Sequence, residues 1–226
     1  MKIAVLGTGI VGKTIAEKLN TLGHEVVIGT REVEKTLANK NDEKSFAYWY
    51  ESHKNIGLQT FKDAAAFAES VIFNCTSGML SIKILQQAEA DSLGDKILID
   101  VANPLDFSNG MPPTLNPGNS DSLAEQIQRA FPNLKVVKTL NTMSSFLMVK
   151  PSLVQGDHSI FVSGNDDAAK EAVKEILNSF GWKQKNILDL GDISTARGVE
   201  MLLPVWMKLW DNLGTVEFNF HIQQNA

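Results

Sequence analysis

Cysteine is almost missing from this chain of 226 residues, where Cys75 stands alone. A single thiol closes no intramolecular disulfide, so the fold lacks the covalent framework that small secreted domains need, and a reducing cytoplasm is the natural setting. Histidine is scarce too, at 4 residues, and His24, His53, His158 and His221 show no spacing that gathers metal ligands. No GxSxG elbow marks a hydrolase. Long apolar runs are also absent. The segment MLLPVWMKLW at 201–210 falls short of the ~20 residues a bilayer demands and contains Pro204 and Lys208. The opening MKIAVLG has too short an apolar stretch for a secretory leader. Basic residues are in the minority, with 21 Lys and Arg against 26 Asp and Glu and a net charge of -5, the wrong sign for covering nucleic-acid phosphates. These absences leave a small molecule as the expected partner, with neither nucleic acid nor a membrane involved.

What remains is enough for a sizeable core: hydrophobic residues make up 43% of the chain and charged residues 21%. Lys2–Leu6 is a β-branched apolar run ending at Gly7, and apolar residues then recur at helical spacing from Lys13 to Leu22. Gly23 closes that helix, and HEVVIG at 24–29 reads as a buried parallel strand. Further strands are expected at 58–60, 70–75, 96–101, 136–140, 159–162 and 187–190, alternating with helices at 42–53, 62–68, 80–90, 123–130, 167–180 and 195–213. Between Asn103 and Ser122 lies an aperiodic stretch rich in Asn, Pro, Gly and Ser, long enough to suggest a functional loop. The chain closes on an alternating segment, VEFNFHI. Strand–helix alternation with short connections predicts an α/β fold, a Rossmann-type doubly wound parallel sheet over 1–150, with a small C-terminal α+β extension over 151–226 that carries the acceptor site.

Gly7, Gly9 and Gly12 spell GxGxxG where its mechanics require it, between a strand and a helix. Gly7 permits the tight turn, Gly9 lets backbone approach a pyrophosphate, and Gly12 lets the helix pack against the strand. The phosphates would then sit at the positive end of the helix, beside Thr8, Ile10 and Val11. Dinucleotide sites selective for NAD place an acid at the end of the second strand, to accept the ribose hydroxyls. Here that place holds Gly29, Thr30 and Arg31, with Lys35 four residues on. A hydroxyl and two cations suit a 2'-phosphate, so NADP is the expected cofactor. The residues just past the later strands are Cys75 and Thr76, then Ala102 and Asn103, then Asn141. They are small and uncharged, which suits a ribose and nicotinamide and supplies no acid or base. Cys75, a lone thiol on an apolar strand, reads as packing rather than a nucleophile.

With these residues in place the chain resembles the NADPH-dependent oxidoreductases related to the F420-dependent NADP reductases, and the cytosolic reductase domain of the six-transmembrane ferric reductases. The likeness runs through KIAVLGTGIVGKTIAEKLNTLGHEVVIGTR, VIFNCTSG, IDVANPL, VVKTLNTM and DLGDISTARGVEMLLP. Its more specific parts are the Thr30–Arg31 pair and the late element formed by Asp189, Gly191, Arg197 and Glu200. The resemblance implies NADP(H) held by Thr8, Gly9, Ile10 and Val11 at the phosphates and by Thr30, Arg31 and Lys35 at the 2'-phosphate. Cys75, Thr76, Ala102, Asn103 and Asn141 would line the ribose and nicotinamide. It also implies hydride exchange with a flavin or with F420. Deazaflavin reductases of this kind carry a histidine where this chain has Asn141, which loosens the link to F420 and leaves NADPH untouched.

Two other readings are kept open: a small imine or hydroxyacid reductase, and an NADPH-binding sensor without turnover. The 195–213 helix is apolar around so much of its circumference that a homodimer is expected, with this helix at the contact, Pro204 bending it, and the Arg197–Glu200 turn facing the cleft.

Overall fold

The computed structural model describes residues 1–225. β1 (Lys2–Leu6) leads into α1 (Ile10–Thr21) and β2 (Glu25–Thr30), followed by α2 (Val33–Ala38), α3 (Phe46–Glu51), β3 (Gly57–Thr60) and α4 (Phe61–Phe67). Next come β4 (Val71–Asn74), α5 (Ser81–Ala88), α6 (Ala90–Leu93) and β5 (Ile97–Asp100). A small hairpin, β6 (Leu105–Asp106) and β7 (Thr114–Leu115), interrupts the long loop before α7 (Leu123–Ala130) and β8 (Lys135–Lys138). The chain continues through α8 (Ser145–Val149), β9 (Ile160–Gly164), α9 (Asp167–Phe180), β10 (Ile187–Asp189) and α10 (Ala196–Leu213).

Eight strands form one sheet in the order β10-β9-β8-β5-β4-β1-β2-β3. All neighbours run parallel except β8 and β9, where Val137 faces Gly164. Strands β9 and β10, contributed by residues beyond 151, therefore extend the edge of the same sheet. β1 shows why its composition is apolar throughout: alternate residues feed opposite faces, with Ile3 and Val5 in one core and Ala4 and Leu6 in the other. The first core lies under α1, α3, α8 and α9 and holds Ile15, Leu19, Phe46, Leu147 and Phe180. The second lies under α4 to α7 and holds Phe61, Leu85, Leu93 and Ile127.

Local chemistry sets the element ends. The Ser122 hydroxyl accepts from the Glu125 amide at the start of α7, the Asp166 carboxylate accepts from the Ala169 amide at the start of α9, and Gly181 at φ +108° closes α9. α1 differs. Its N-cap is Gly9, no side chain caps it, and its first turn holds no acid. Its leading N–H groups are thus left for something outside the protein.

Three segments take a shape that the chain pattern left open or drew differently. The VEFNFHI segment forms no strand; it lies along the start of β9, with the Ser159 amide donating to the Phe220 carbonyl at 2.8 Å. The 42–53 helix is confined to α3 and preceded by α2, which buries no residue and so carries no apolar period to read. The loop over 103–122 contains the β6–β7 hairpin, whose two-residue strands are too short for an alternating signal. Among the described residues no helix is long and apolar enough to cross a membrane.

Candidate functional site: a dinucleotide cleft at the sheet's carboxyl edge

The strand order reverses at β1. The chain runs outward to β2 and β3 and then returns across β1 to β4, opening a crevice beyond the carboxyl ends of β1 and β4. Gly7 sits there at φ +119°, its amide bonded to the Gly29 carbonyl at 3.0 Å. A Cβ on Gly7 would lie 2.6 Å from the Cys75 carbonyl oxygen, and one on Gly12 would lie 2.1 Å from the Gly7 carbonyl oxygen. Packing therefore demands glycine at both positions. Gly9 is different: its φ is -73° and a Cβ would meet nothing within 4 Å. No protein atom requires glycine there, so the space before Gly9, facing the uncapped end of α1, fits a phosphate group. The residues present therefore fit a dinucleotide.

Gly7, Thr8, Gly9, Thr30, Arg31, Lys35, Cys75 and Thr76 line one cavity of about 480 Å³. Arg31 is exposed at its mouth, and no ion pair engages it among the described residues. Lys35 is placed on the same cavity but lies 2.7 Å from Glu32, an acid one residue past Arg31 that also faces the cavity. Sequence reasoning passed over Glu32 because it lies beyond the end of β2. The structure shows the Lys35 ammonium neutralising it, so the unpaired charge at this mouth is the guanidinium. The Thr30 hydroxyl is buried and shares a hydrogen bond with the Thr36 hydroxyl at 2.7 Å, tying β2 to α2. Ile10, half exposed, joins Thr8 and Gly9 in lining a neighbouring lobe of about 730 Å³ walled by Lys13, Phe46, Tyr48 and Trp49. Val11 turns the other way and packs on the core.

Residues 7–14, GTGIVGKT, also satisfy the G-x-x-x-x-G-K-[ST] spacing of nucleoside-triphosphate loops. The geometry removes that reading. The Lys13 ammonium donates to the Lys44 carbonyl at 2.9 Å and the Thr14 hydroxyl to the Ile10 carbonyl at 2.8 Å, so neither converges on the turn.

The remaining candidates gather beyond β4, β5 and β8. The Thr76 hydroxyl donates to Asn74 Oδ1 at 2.7 Å. Asn103 and Asn141 form a reciprocal pair: Asn103 Nδ2 donates to the Asn141 carbonyl at 2.8 Å, and Asn141 Nδ2 donates to Asn103 Oδ1 at 2.9 Å and to the Val199 carbonyl at 3.1 Å. Cys75 is buried, and that burial, with Asp100 nearby, pushes its thiol far above the ordinary range, so it is no nucleophile at neutral pH.

Beneath these turns lies a group that sequence reasoning missed. The Lys138 ammonium, fully buried, stands 2.9 Å from both Asp100 and Glu200. Burial alone would lower its pKa, but the two carboxylates outweigh that and hold it above the ordinary lysine range. Asp100 also accepts from Asn74 Nδ2 at 2.8 Å, while Glu200 accepts from the Leu123 and Ala124 amides that open α7. The one available signal was a charged residue inside each of two apolar strands. The expectation that the Arg197–Glu200 turn faces the cleft is corrected accordingly: Glu200 is turned inward onto Lys138, and Arg197 closes on Glu125 at 2.7 Å.

Known proteins are similar to this chain. The family model described as "NADP oxidoreductase coenzyme F420-dependent" matches residues 2–104. A crystal structure from Arthrobacter sp. FB24, provisionally assigned as an F420-dependent NADP reductase, is 57% identical, covers 99% of this chain and 100% of that one, and superposes with a TM-score of 0.95. The F420-dependent NADP reductase of Methanothermobacter thermautotrophicus is 27% identical over 92% of this chain and 89% of its own length. The rat metalloreductase STEAP3 is 28% identical over 91% of this chain, which spans only 38% of that protein. With a Rossmann-type sheet, a GxGxxG turn between its first strand and helix, and a relative this similar across its whole length, the chain belongs to the family of NADP oxidoreductases related to the F420-dependent NADP reductases.

Proposed function

We propose that this protein binds NADP(H) across the carboxyl edge of its sheet and exchanges hydride between the nicotinamide and a planar acceptor of the flavin or deazaflavin class. The observation that carries the reading is the pairing of Gly9, open where a pyrophosphate belongs, with Arg31, a guanidinium unpaired among the described residues where the 2'-phosphate belongs. When bound, NADPH supplies the hydride. The chain's contribution is to hold and orient. The uncapped α1 end faces phosphate, Arg31 meets the 2'-phosphate, and the Asn103–Asn141 pair forms an uncharged floor.

Among the described residues no histidine or lysine side chain is exposed on that floor, and Lys138 beneath it is wholly buried. A carbonyl or imine reduction calls for a proton donor aimed at the substrate, whereas hydride exchange between stacked rings depends mainly on proximity and alignment. This favours the ring-type acceptor over the imine or hydroxyacid reading. The test follows NADPH absorbance with FMN, FAD, F420, ferric chelates, imines and ketones in turn. Turnover with a flavin or F420 supports the proposal; turnover only with imines or ketones, or stoichiometric binding without oxidation, replaces it with the reductase or the sensor.

We also propose that two copies pair through α10. Val199, Leu203 and Trp206 are buried, Trp210 and Leu213 continue the same stripe towards the helix end and stay 45% and 56% exposed, and Val205 on the opposite side is 50% exposed. Light scattering should find a dimer that Trp210→Glu converts to monomer, and a dimer indifferent to that charge refutes the contact.

A further inference from the structure

The buried cluster of Asp100, Lys138 and Glu200 poses a question that packing does not answer. Two carboxyl groups and one ammonium, at most 3% exposed, meet inside the protein. Apolar residues of similar volume generally stabilise such a position as well or better, so the cluster is explained by what its atoms hold rather than by stability. A lysine ammonium has three donors. Lys138 directs them to Asp100, Glu200 and the main-chain carbonyl of Ala102. Asp100 in turn accepts from the Ala102 amide at 3.2 Å. Ala102 is thus gripped at both its amide and its carbonyl by one ion pair.

The grip passes along the chain. Asn103, the next residue, is locked to Asn141, which also bonds to the Val199 carbonyl on α10, beside Glu200. Asn141 follows Leu140, a buried leucine at φ +63°, a conformation that costs a branched side chain and persists only where its surroundings impose it. The turns after β5 and β8 and one turn of α10 therefore form a single shelf. At the β2 end of the cleft, where Arg31 stands exposed, the Thr30–Thr36 hydroxyl pair ties β2 to α2, and no buried ion pair lies there among the described residues.

We infer that Lys138 is a positioning residue for the nicotinamide half of the site: by holding the Ala102 carbonyl between Asp100 and Glu200 it keeps the Ala102–Asn103 turn in the shape that receives the nicotinamide. The adenosine half does not depend on it. This inference rests on the nucleotide reading proposed above.

The experiment compares two ligands on the full chain: NADPH, and adenosine 2',5'-bisphosphate, which carries the adenosine 2'-phosphate and no nicotinamide. The double variant Asp100→Asn/Lys138→Met removes one charge of each sign and is close to the native volume. It should lose about tenfold in NADPH affinity while its bisphosphate affinity stays within about twofold. Glu200→Gln, which keeps the Asp100–Lys138 pair, should show a smaller loss in the same direction and serves if the double variant does not fold. Retention of both affinities shows that the shelf forms without Lys138 and overturns the inference. Equal loss of both ligands in a folded variant makes the cluster a general scaffold and also overturns it. Arg31→Ala in the wild-type background separates the two layers of argument, because it should weaken both ligands. If both are unchanged, the nucleotide reading fails and takes this inference with it.

Discussion

At the β2 end of the cleft stand an exposed guanidinium and a glycine turn open to solvent, all within residues 7–35. At the β8 end stand amides and charges with almost no exposure, drawn from residues as far apart as 74, 100, 138 and 200. The first end presents Arg31, with no ion-pair partner among the described residues, and Gly9, whose Cβ would meet nothing within 4 Å. The second end is already satisfied within the protein, so its residues hold the shape of the turns there. A cleft built this way can recognise the adenosine half by charge and the nicotinamide half by form.

The sharpest break in this contrast lies within the glycine turn itself. Gly12→Val should cost at least about 4 kcal/mol and leave little folded protein, because its Cβ would lie 2.1 Å from a backbone oxygen. Gly9→Val should fold, with a thermal midpoint near the native one, and bind no nucleotide. A folded Gly9→Val that retains NADPH affinity would move the phosphate site elsewhere.

Arg31→Ala tests the waiting charge alone. A charge-assisted contact contributes about 1.5–3 kcal/mol, so NADPH affinity should fall by roughly tenfold to a hundredfold while NADH affinity barely changes. Equal losses for both nucleotides would show that Arg31 supports the fold instead.

The smallest expected effect concerns pH, on the satisfied side. The Arg197 guanidinium, with help from the Ser122 hydroxyl, holds the Glu125 carboxyl below its ordinary range against the opposing effect of burial. The unfolded chain therefore takes up this proton first as pH falls. The contact stabilises fully above the ordinary glutamate pKa of about 4.3 and is lost as pH drops through the lower native value. Glu125→Gln should be less stable than the native chain at pH 7 by about 1 kcal/mol, and the gap should close towards pH 3. A gap independent of pH would mean that the ion pair contributes nothing.

The two ends also differed in how readily the sequence showed them. Gly7, Gly9, Gly12 and Arg31 could be read because strand, turn and helix follow one another within a single βαβ unit, whose handedness and spacing place each residue. The chain pattern equally announced α7 and α9, whose apolar periods and caps are local, and both helices run over the expected residues. Glu32 was overlooked because its orientation depends on how the chain leaves β2. The short α8 was overlooked because five residues carry too little periodicity to distinguish a helix.

By itself, then, the sequence determined most of the order of strands and helices and the glycine turn between β1 and α1, since both depend on residues close along the chain. Only the tertiary structure decided that Lys138 meets Asp100 and Glu200, that Arg197 turns to Glu125, and that Asn141 reaches Asn103 and Val199. The physical reason is that a charge on an apolar strand carries no mark of its partner. Which opposite charge it meets is set by which strands the sheet places side by side and by where the helices cross them, and that ordering is a property of the packed chain as a whole.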